Sequence, residues 1–200
     1  MIDFSVVLPV TAALMAFSAY GLYIVQAQLG KSDPNPVSWF LWSYLATLNA
    51  LSFSAMNDRV AALQFFAGSV GCLATFFYVL IIGRFKWPIV REWWMLVLGS
   101  VAIIGWQQFT ATTANMILAG ILIYSFEPSI RGVHEDPWRE KPLAWWMWTI
   151  AFGLTGLNTF LFKGGWTLSL VMPVVGVVCH ALVAILCSDG RQRRLTALPW

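Results

Sequence analysis

The chain has 200 residues, of which 59% are hydrophobic and 10% are Asp, Glu, Lys or Arg, with a formal net charge of +3. An ordinary soluble domain is about 25% charged, so these residues cannot supply a polar shell around a single core. The basic residues are scattered through loops, which argues against a nucleic-acid partner.

The apolar residues instead fall in blocks long enough to cross about 30 Å of hydrocarbon. In chain order they predict spans at 4–28, 38–56, 60–83, 92–108, 111–129, 143–162 and 166–187. The first begins Met-Ile-Asp-Phe and lacks the positive flank of a signal peptide, so it is expected to remain as a span. Polar, proline- or glycine-bearing turns separate most blocks: Lys31 to Pro36, Asn57-Asp58-Arg59, Arg84 to Pro88, Arg131 to Lys141, and Lys163-Gly-Gly165. Residues 92–129 would make one helix of about 57 Å at 1.5 Å per residue, far more than a bilayer needs. The polar cluster Gln107-Gln108-Phe-Thr-Ala-Thr-Thr113 is therefore expected to be a turn.

Charge tests that division. With seven spans, Lys31, Arg84, Lys86, Arg91, Arg131, Arg139, Lys141, Arg191, Arg193 and Arg194 share one side, and only Arg59 and Lys163 share the other. Cytoplasmic loops are enriched in Lys and Arg, which predicts an outside N-terminus and a cytoplasmic C-terminus. The expected location is an inner (plasma) membrane of bacterial type, with lipid as the surrounding partner.

An internal repeat is the most informative pattern. Shifting residues 36–51 by 106 positions lays Pro36-Val-Ser-Trp-Phe-Leu-Trp42 on Pro142-Leu-Ala-Trp-Trp-Met-Trp148, and also matches Leu48 with Leu154 and Leu51 with Leu157. Upstream, Leu22-Tyr23-x-x-Gln26 parallels Ile123-Tyr124-x-x-Glu127. The fold expected is all-α and integral to the membrane, with two parallel three-helix repeats (1–84 and 111–188), a linker helix (92–108) and a cytoplasmic tail (189–200). With Gln26, the Pro36–Trp42 segment and its counterpart Pro142–Trp148, the chain resembles the SWEET and PQ-loop superfamily of seven-helix transporters. It has Val25-Gln26 and Phe126-Glu127 where that family places Pro-Gln.

Polar groups inside a membrane are costly and so mark candidate sites. His180, about fourteen residues into the last block, is a candidate for solute binding or proton exchange. Asn49 and Asn158 are candidates for solute contact, a role the resemblance implies for asparagines and tryptophans between the repeats; interhelical hydrogen bonding explains them equally well. Gln64 and Asn115 are placed nearer the helix ends. Trp42 and Trp148 recur at i, i+3 from Trp39 and Trp145 and suit a cavity for a flat solute, whereas Trp39 and Trp145 fit an interfacial belt, with Trp87, Trp93, Trp94, Trp138 and Trp200. Glu127 is a second candidate for proton coupling, with a solvated pair to Arg131 as the simpler role.

The three cysteines show no metal-type spacing and read as small buried hydrophobes. There is no phosphate loop or nucleophile–base pair, and a retinal protein would need a lysine within a span, so neither an enzyme nor a cofactor is expected. The expectation is a facilitator of alternating-access type for a small polar or aromatic solute. A ligand-binding or sensory membrane protein, a homo-oligomer and an accessory subunit of a membrane complex share the same requirements.

Overall fold

The structure is a computed structural model and describes residues 3–82, 90–108 and 110–196. It is helical, with α1 (Phe4–Gln28), α2 (Pro36–Ala55), α3 (Arg59–Ile81), α4 (Val90–Gln108), α5 (Ala111–Ser125), α6 (Glu127–Glu135), α7 (Pro142–Phe162) and α8 (Val171–Thr196). A single 3₁₀ turn, Leu168–Leu170, leads into α8. No strand occurs among the described residues.

Four stretches are long and apolar enough to cross a membrane: Phe4–Gln28, Ala61–Ile81, Ala111–Glu135 and Leu168–Asp189. Helices α2 and α7, of 20 and 21 residues, match them in length but are interrupted by Trp, Ser, Thr and Asn. The surface is that of a lipid-facing protein. On α1 the inward face is mostly alanine (Ala12, Ala13, Ala16, Ala19, Ala27), while Val6, Val10, Leu14 and Phe17 point outward. Small residues inside let helix backbones approach closely where lipid provides no hydrophobic drive between helices.

Local chemistry fixes the helix starts. Asn35 accepts hydrogen bonds from the Val37 and Ser38 backbone N–H groups at 2.9 and 3.2 Å, with Pro36 in the first turn, where its missing N–H costs nothing. Asp58 caps α3 through the Ala61 N–H at 3.1 Å, and Thr110 caps α5 through the Thr113 N–H at 3.3 Å. That second cap ends the long apolar run, so the expected turn between 108 and 111 is present.

Two boundaries differ from expectation. The fifth span does not end in a loop at residue 129; the chain stays helical through Glu135, with a break at Phe126. Pro128 has no N–H to bond a carbonyl four residues back, and its ring disfavours helical backbone before it, which breaks the helix without ending it. The last helix begins at 171 rather than 166 and runs on to Thr196, so most of the expected tail is helical. Arg84, Lys86, Trp87 and Trp200 lie outside the described residues.

Two trios of long helical segments can be named by chain order, α1–α3 and α5/α6 with α7 and α8. Helix α3 packs against both α1 and α2, and α8 packs against α7, α5 and α6. Across the middle, α1 packs on α7 and α2 on α5, while α4 rests against α5 and α2. Asp58, at the start of α3, meets Lys163, at the end of α7, at 3.8 Å. At the opposite ends of α2 and α7, Asp33 meets Arg139 at 3.3 Å.

Candidate functional site

The trios enclose a central cavity of about 50 Å³, to which α1, α2, α3, α5, α7 and α8 all contribute. At 10–15 Å³ per water, that is room for roughly four waters. Its wall is aromatic. Trp39 and Trp42 come from α2, Trp145, Trp148 and Phe152 from α7, Tyr20 from α1, Phe126 from the α5–α6 break and His180 from α8. The two tryptophan pairs have nearly the same geometry: Trp39–Trp42 centroids lie 5.1 Å apart at 86°, and Trp145–Trp148 lie 5.2 Å apart at 72°. Edge-on pairs of this kind are worth about 0.5–1.5 kcal/mol each beyond the area they bury. Trp39 and Trp145 are 2% and 1% exposed, so they are cavity walls and not interfacial anchors. Trp93, Trp94 and Trp138 are exposed, as a belt requires.

Of the residues singled out in the sequence, Trp42, Trp148, Asn49 and His180 meet on this one wall. Asn158 is buried but lies outside it. Glu127 is not among its lining residues and lies 3.8 Å from Arg131 one helical turn on, with both side chains partly exposed. Cys72 lines the cavity, and all three cysteines are buried as free thiols.

Tyr20 and Phe126 were not expected at the site, and Gln64 was placed nearer a helix end, whereas Phe152 shares the helical stripe of Trp145 and Trp148 that suits a cavity. Gln64 sits barely one turn into α3, but the bundle closes over it, and its Oε1 accepts a hydrogen bond from Thr155 of α7. Tyr20 fits because Gly71 leaves its ring against the α3 backbone: a Cβ there would fall 2.1 Å from the ring. Phe152 lies in the same way on Gly176 of α8, where a Cβ would fall 2.3 Å away. A glycine facing an aromatic across two helices is a signal visible only once the pairing is known.

Polar groups on the wall differ in what satisfies them. The Asn49 amide donates to the Leu45 carbonyl, and its Oδ1 accepts from Asn115 at 3.0 Å. The Trp42 ring N–H donates to Ser125 Oγ at 2.8 Å. By contrast, Trp145 Nε1, Trp148 Nε1 and Gln64 Nε2 are buried with no hydrogen-bond partner among the described residues. His180 Nδ1 lies 2.7 Å from the Gly176 carbonyl, which only accepts, so the proton sits on Nδ1 and the neutral ring keeps an acceptor lone pair on Nε2. The cavity lining thus carries three unmatched donors and one acceptor within aromatic walls.

A smaller pocket of about 10 Å³ adjoins it towards the α1–α2 and α6–α7 loops and shares Trp39, Trp42 and Trp145 with it. Glu140, 5% exposed, lines this pocket. The Tyr23 hydroxyl donates to its Oε1 at 2.8 Å. Burial pushes the Glu140 carboxyl from the ordinary 4.5 up to about 7, while the hydrogen bond from Tyr23, the nearby polar groups of Ser32 and Trp145 and the charge of Arg139 pull it down. Nothing local in the chain separates it from the other loop charges.

No family model matches the chain, and no match was found among curated proteins or solved structures. No metal-ligating cluster occurs among the described residues.

Proposed function

We propose that the chain is a seven-span facilitator of the SWEET-like kind, with trios α1–α3 and α5–α8 as parallel repeats, α4 as the linker, and a small polar or aromatic solute carried between them. The observation that carries this reading is the central cavity itself. It lies where the trios meet, it is walled by the two tryptophan pairs that recur in the sequence, and it holds buried donors that the protein leaves unmatched. An unmatched buried donor costs about 1–3 kcal/mol, a cost that a bound polar solute removes.

The repeat reading draws support from packing: in each trio the last helix touches the others, and each trio's first helix packs on the other trio's middle one. It also draws support from two rings in equivalent roles. Tyr23 contacts Trp39 of its own trio and Trp148 of the other, at 4.7 and 5.8 Å. Phe126 contacts Trp145 of its own trio and Trp42 of the other, at 6.2 and 4.9 Å. The counterpart of Tyr23 is then Phe126 and not Tyr124, which is 40% exposed where Tyr23 is 1%. The topology proposed is N-terminus outside and C-terminus cytoplasmic, in keeping with Asp58 and Lys163 at one end and Asp33 and Arg139 at the other.

Alternating access is the mechanism that fits two packed trios around one site. The solute's ring would stack on the tryptophans, its acceptors would meet Trp148 and Gln64, and its donor would meet His180. The small cavity limits the solute to a few heavy atoms in this conformation or requires the trios to part around a larger one. The test is uptake by proteoliposomes across labelled sugars, nucleosides, amines and amino acids. Saturable uptake of one class supports the reading. Ligand-induced thermal stabilisation without uptake would mean a binding protein, and purification with stoichiometric partners would mean an accessory subunit.

A further inference from the structure

We propose that Glu140 is a proton-binding site that governs closure of the bundle at the α1–α2 and α6–α7 loops, taking up a proton when the trios meet there and releasing it when they part. That the proton then moves with a solute rests on the transporter reading; the site does not.

Three observations carry the site. Glu140 is an acid buried between the trios, outside the spans, in a pocket with room for about one water. A pocket of that size has no place for an organic cation, so the ligand that fits is a proton. Its hydrogen bond crosses between halves: Tyr23 belongs to α1 and Glu140 to the α6–α7 loop. The same seam holds the Asp33–Arg139 ion pair, the Asp33 N–H to Arg139 carbonyl bond at 3.0 Å and the Lys141 N–H to Ser32 Oγ bond at 3.3 Å. Finally, the pocket is separated from the central cavity only by tryptophans that line both.

The groups that face this carboxyl are Tyr23 from α1, Ser32 and Asp33 from the α1–α2 loop, Arg139 from its own loop and Trp145 from α7. Arg139 is the cation among them, and its guanidinium is partly exposed and engaged by Asp33, which weakens its hold on Glu140. Parting the trios would return Glu140 to water and to an ordinary carboxyl pKa. An acid whose pKa is higher in the closed form favours closure at low pH; that advantage fades as pH rises above 4.5 and is gone above about 7. Between pH 6 and 8 the open-to-closed ratio should rise about tenfold.

Two measurements on purified full-length protein test this. Infrared titration should show a protonated carboxyl band lost with a midpoint near 7, absent in Glu140→Gln and unchanged in Glu127→Gln. Tyr23→Phe, which removes a hydrogen bond that favours the charged form, should move the midpoint up and serves if Glu140→Gln does not fold. The second measurement places Ser38→Cys, in the pocket wall, in a background lacking the native cysteines. Maleimide labelling should rise about tenfold from pH 6 to 8 beyond the rise seen when Glu140→Gln is added. Identical labelling profiles with and without Glu140→Gln, or a carboxyl midpoint near 4.5, overturns the proposal even if a solute is transported. Both effects present in a protein that takes up no solute would leave the proton site standing and remove the transporter reading.

Discussion

The two trios build one cavity with similar tools and different polar outcomes. Each contributes a tryptophan pair at i, i+3 from the start of its middle helix, and each has a glycine in its last helix against which a wall aromatic lies. The trios diverge in the ring nitrogens: Trp42 is tied to Ser125 across the interface, while Trp148 has no such partner. The reason lies one residue from each equivalent ring. Ser125 precedes Phe126 and offers an oxygen, whereas Leu22 precedes Tyr23 and offers none. In the proposed repeat, the absence of one polar residue would turn a structural tryptophan into an available donor.

The largest effects should come from removing the rings. Trp42→Ala and Trp148→Ala should each cost about 3–5 kcal/mol of stability, measured by unfolding in detergent, because a large buried side chain leaves a void that its neighbours fill only partly. Comparable losses would mean that the trios hold the cavity jointly. A loss from one variant alone would mean that a single trio carries the fold there and would break the comparison.

Smaller effects are expected from the glycines. Gly71→Ala and Gly176→Ala each force a ring to move, and overpacking of this kind costs about 1–3 kcal/mol. The two should differ in one respect. Gly176 also supplies the carbonyl that fixes the His180 tautomer, so its substitution should impair any solute uptake per folded molecule more than Gly71→Ala does. Equal uptake in the two variants would separate His180 from the site.

How far the sequence anticipated this arrangement depends on distance along the chain. Helix existence was legible because apolar blocks and polar turns are local, and the split at residues 108–111 followed from length, the polar cluster there and the sorting of charge. Trp42 and Trp148 stood out because the repeat is itself a sequence feature. Glu140 did not, and Gln64 was ranked below Asn49 and Asn158, since near a helix end or in a charged loop nothing local distinguishes a buried group from a solvated one. Only the other trio, more than ninety residues away in the case of Thr155 and Gln64, removes water from them. The continuation of the fifth span beyond residue 129 was missed for a related reason: the polar stretch from Arg131 suggests a loop, and only the packing of α6 on α8 shows that the helix resumes.

The smallest change in stability should be the most discriminating. Trp42→Phe and Trp148→Phe both keep an aromatic ring in the wall and delete a single N–H. In Trp42→Phe the lost bond to Ser125 should cost about 0.5–1.5 kcal/mol, while Ser125 keeps its own bond to the Leu122 carbonyl. Solute uptake per folded molecule should be unchanged, because that N–H never faced the solute. Trp148→Phe removes a donor that has no partner in the protein, so stability should hold or rise slightly. If that donor meets the solute, half-saturation should move to higher concentration by roughly tenfold, the worth of one hydrogen bond of about 1.4 kcal/mol. The crossed pattern, stability lost in one variant and affinity in the other, is what unequal ring nitrogens require. Affinity lost in Trp42→Phe but not in Trp148→Phe would show that the solute reads the opposite side of the cavity, and the division of roles between the trios would have to be reversed.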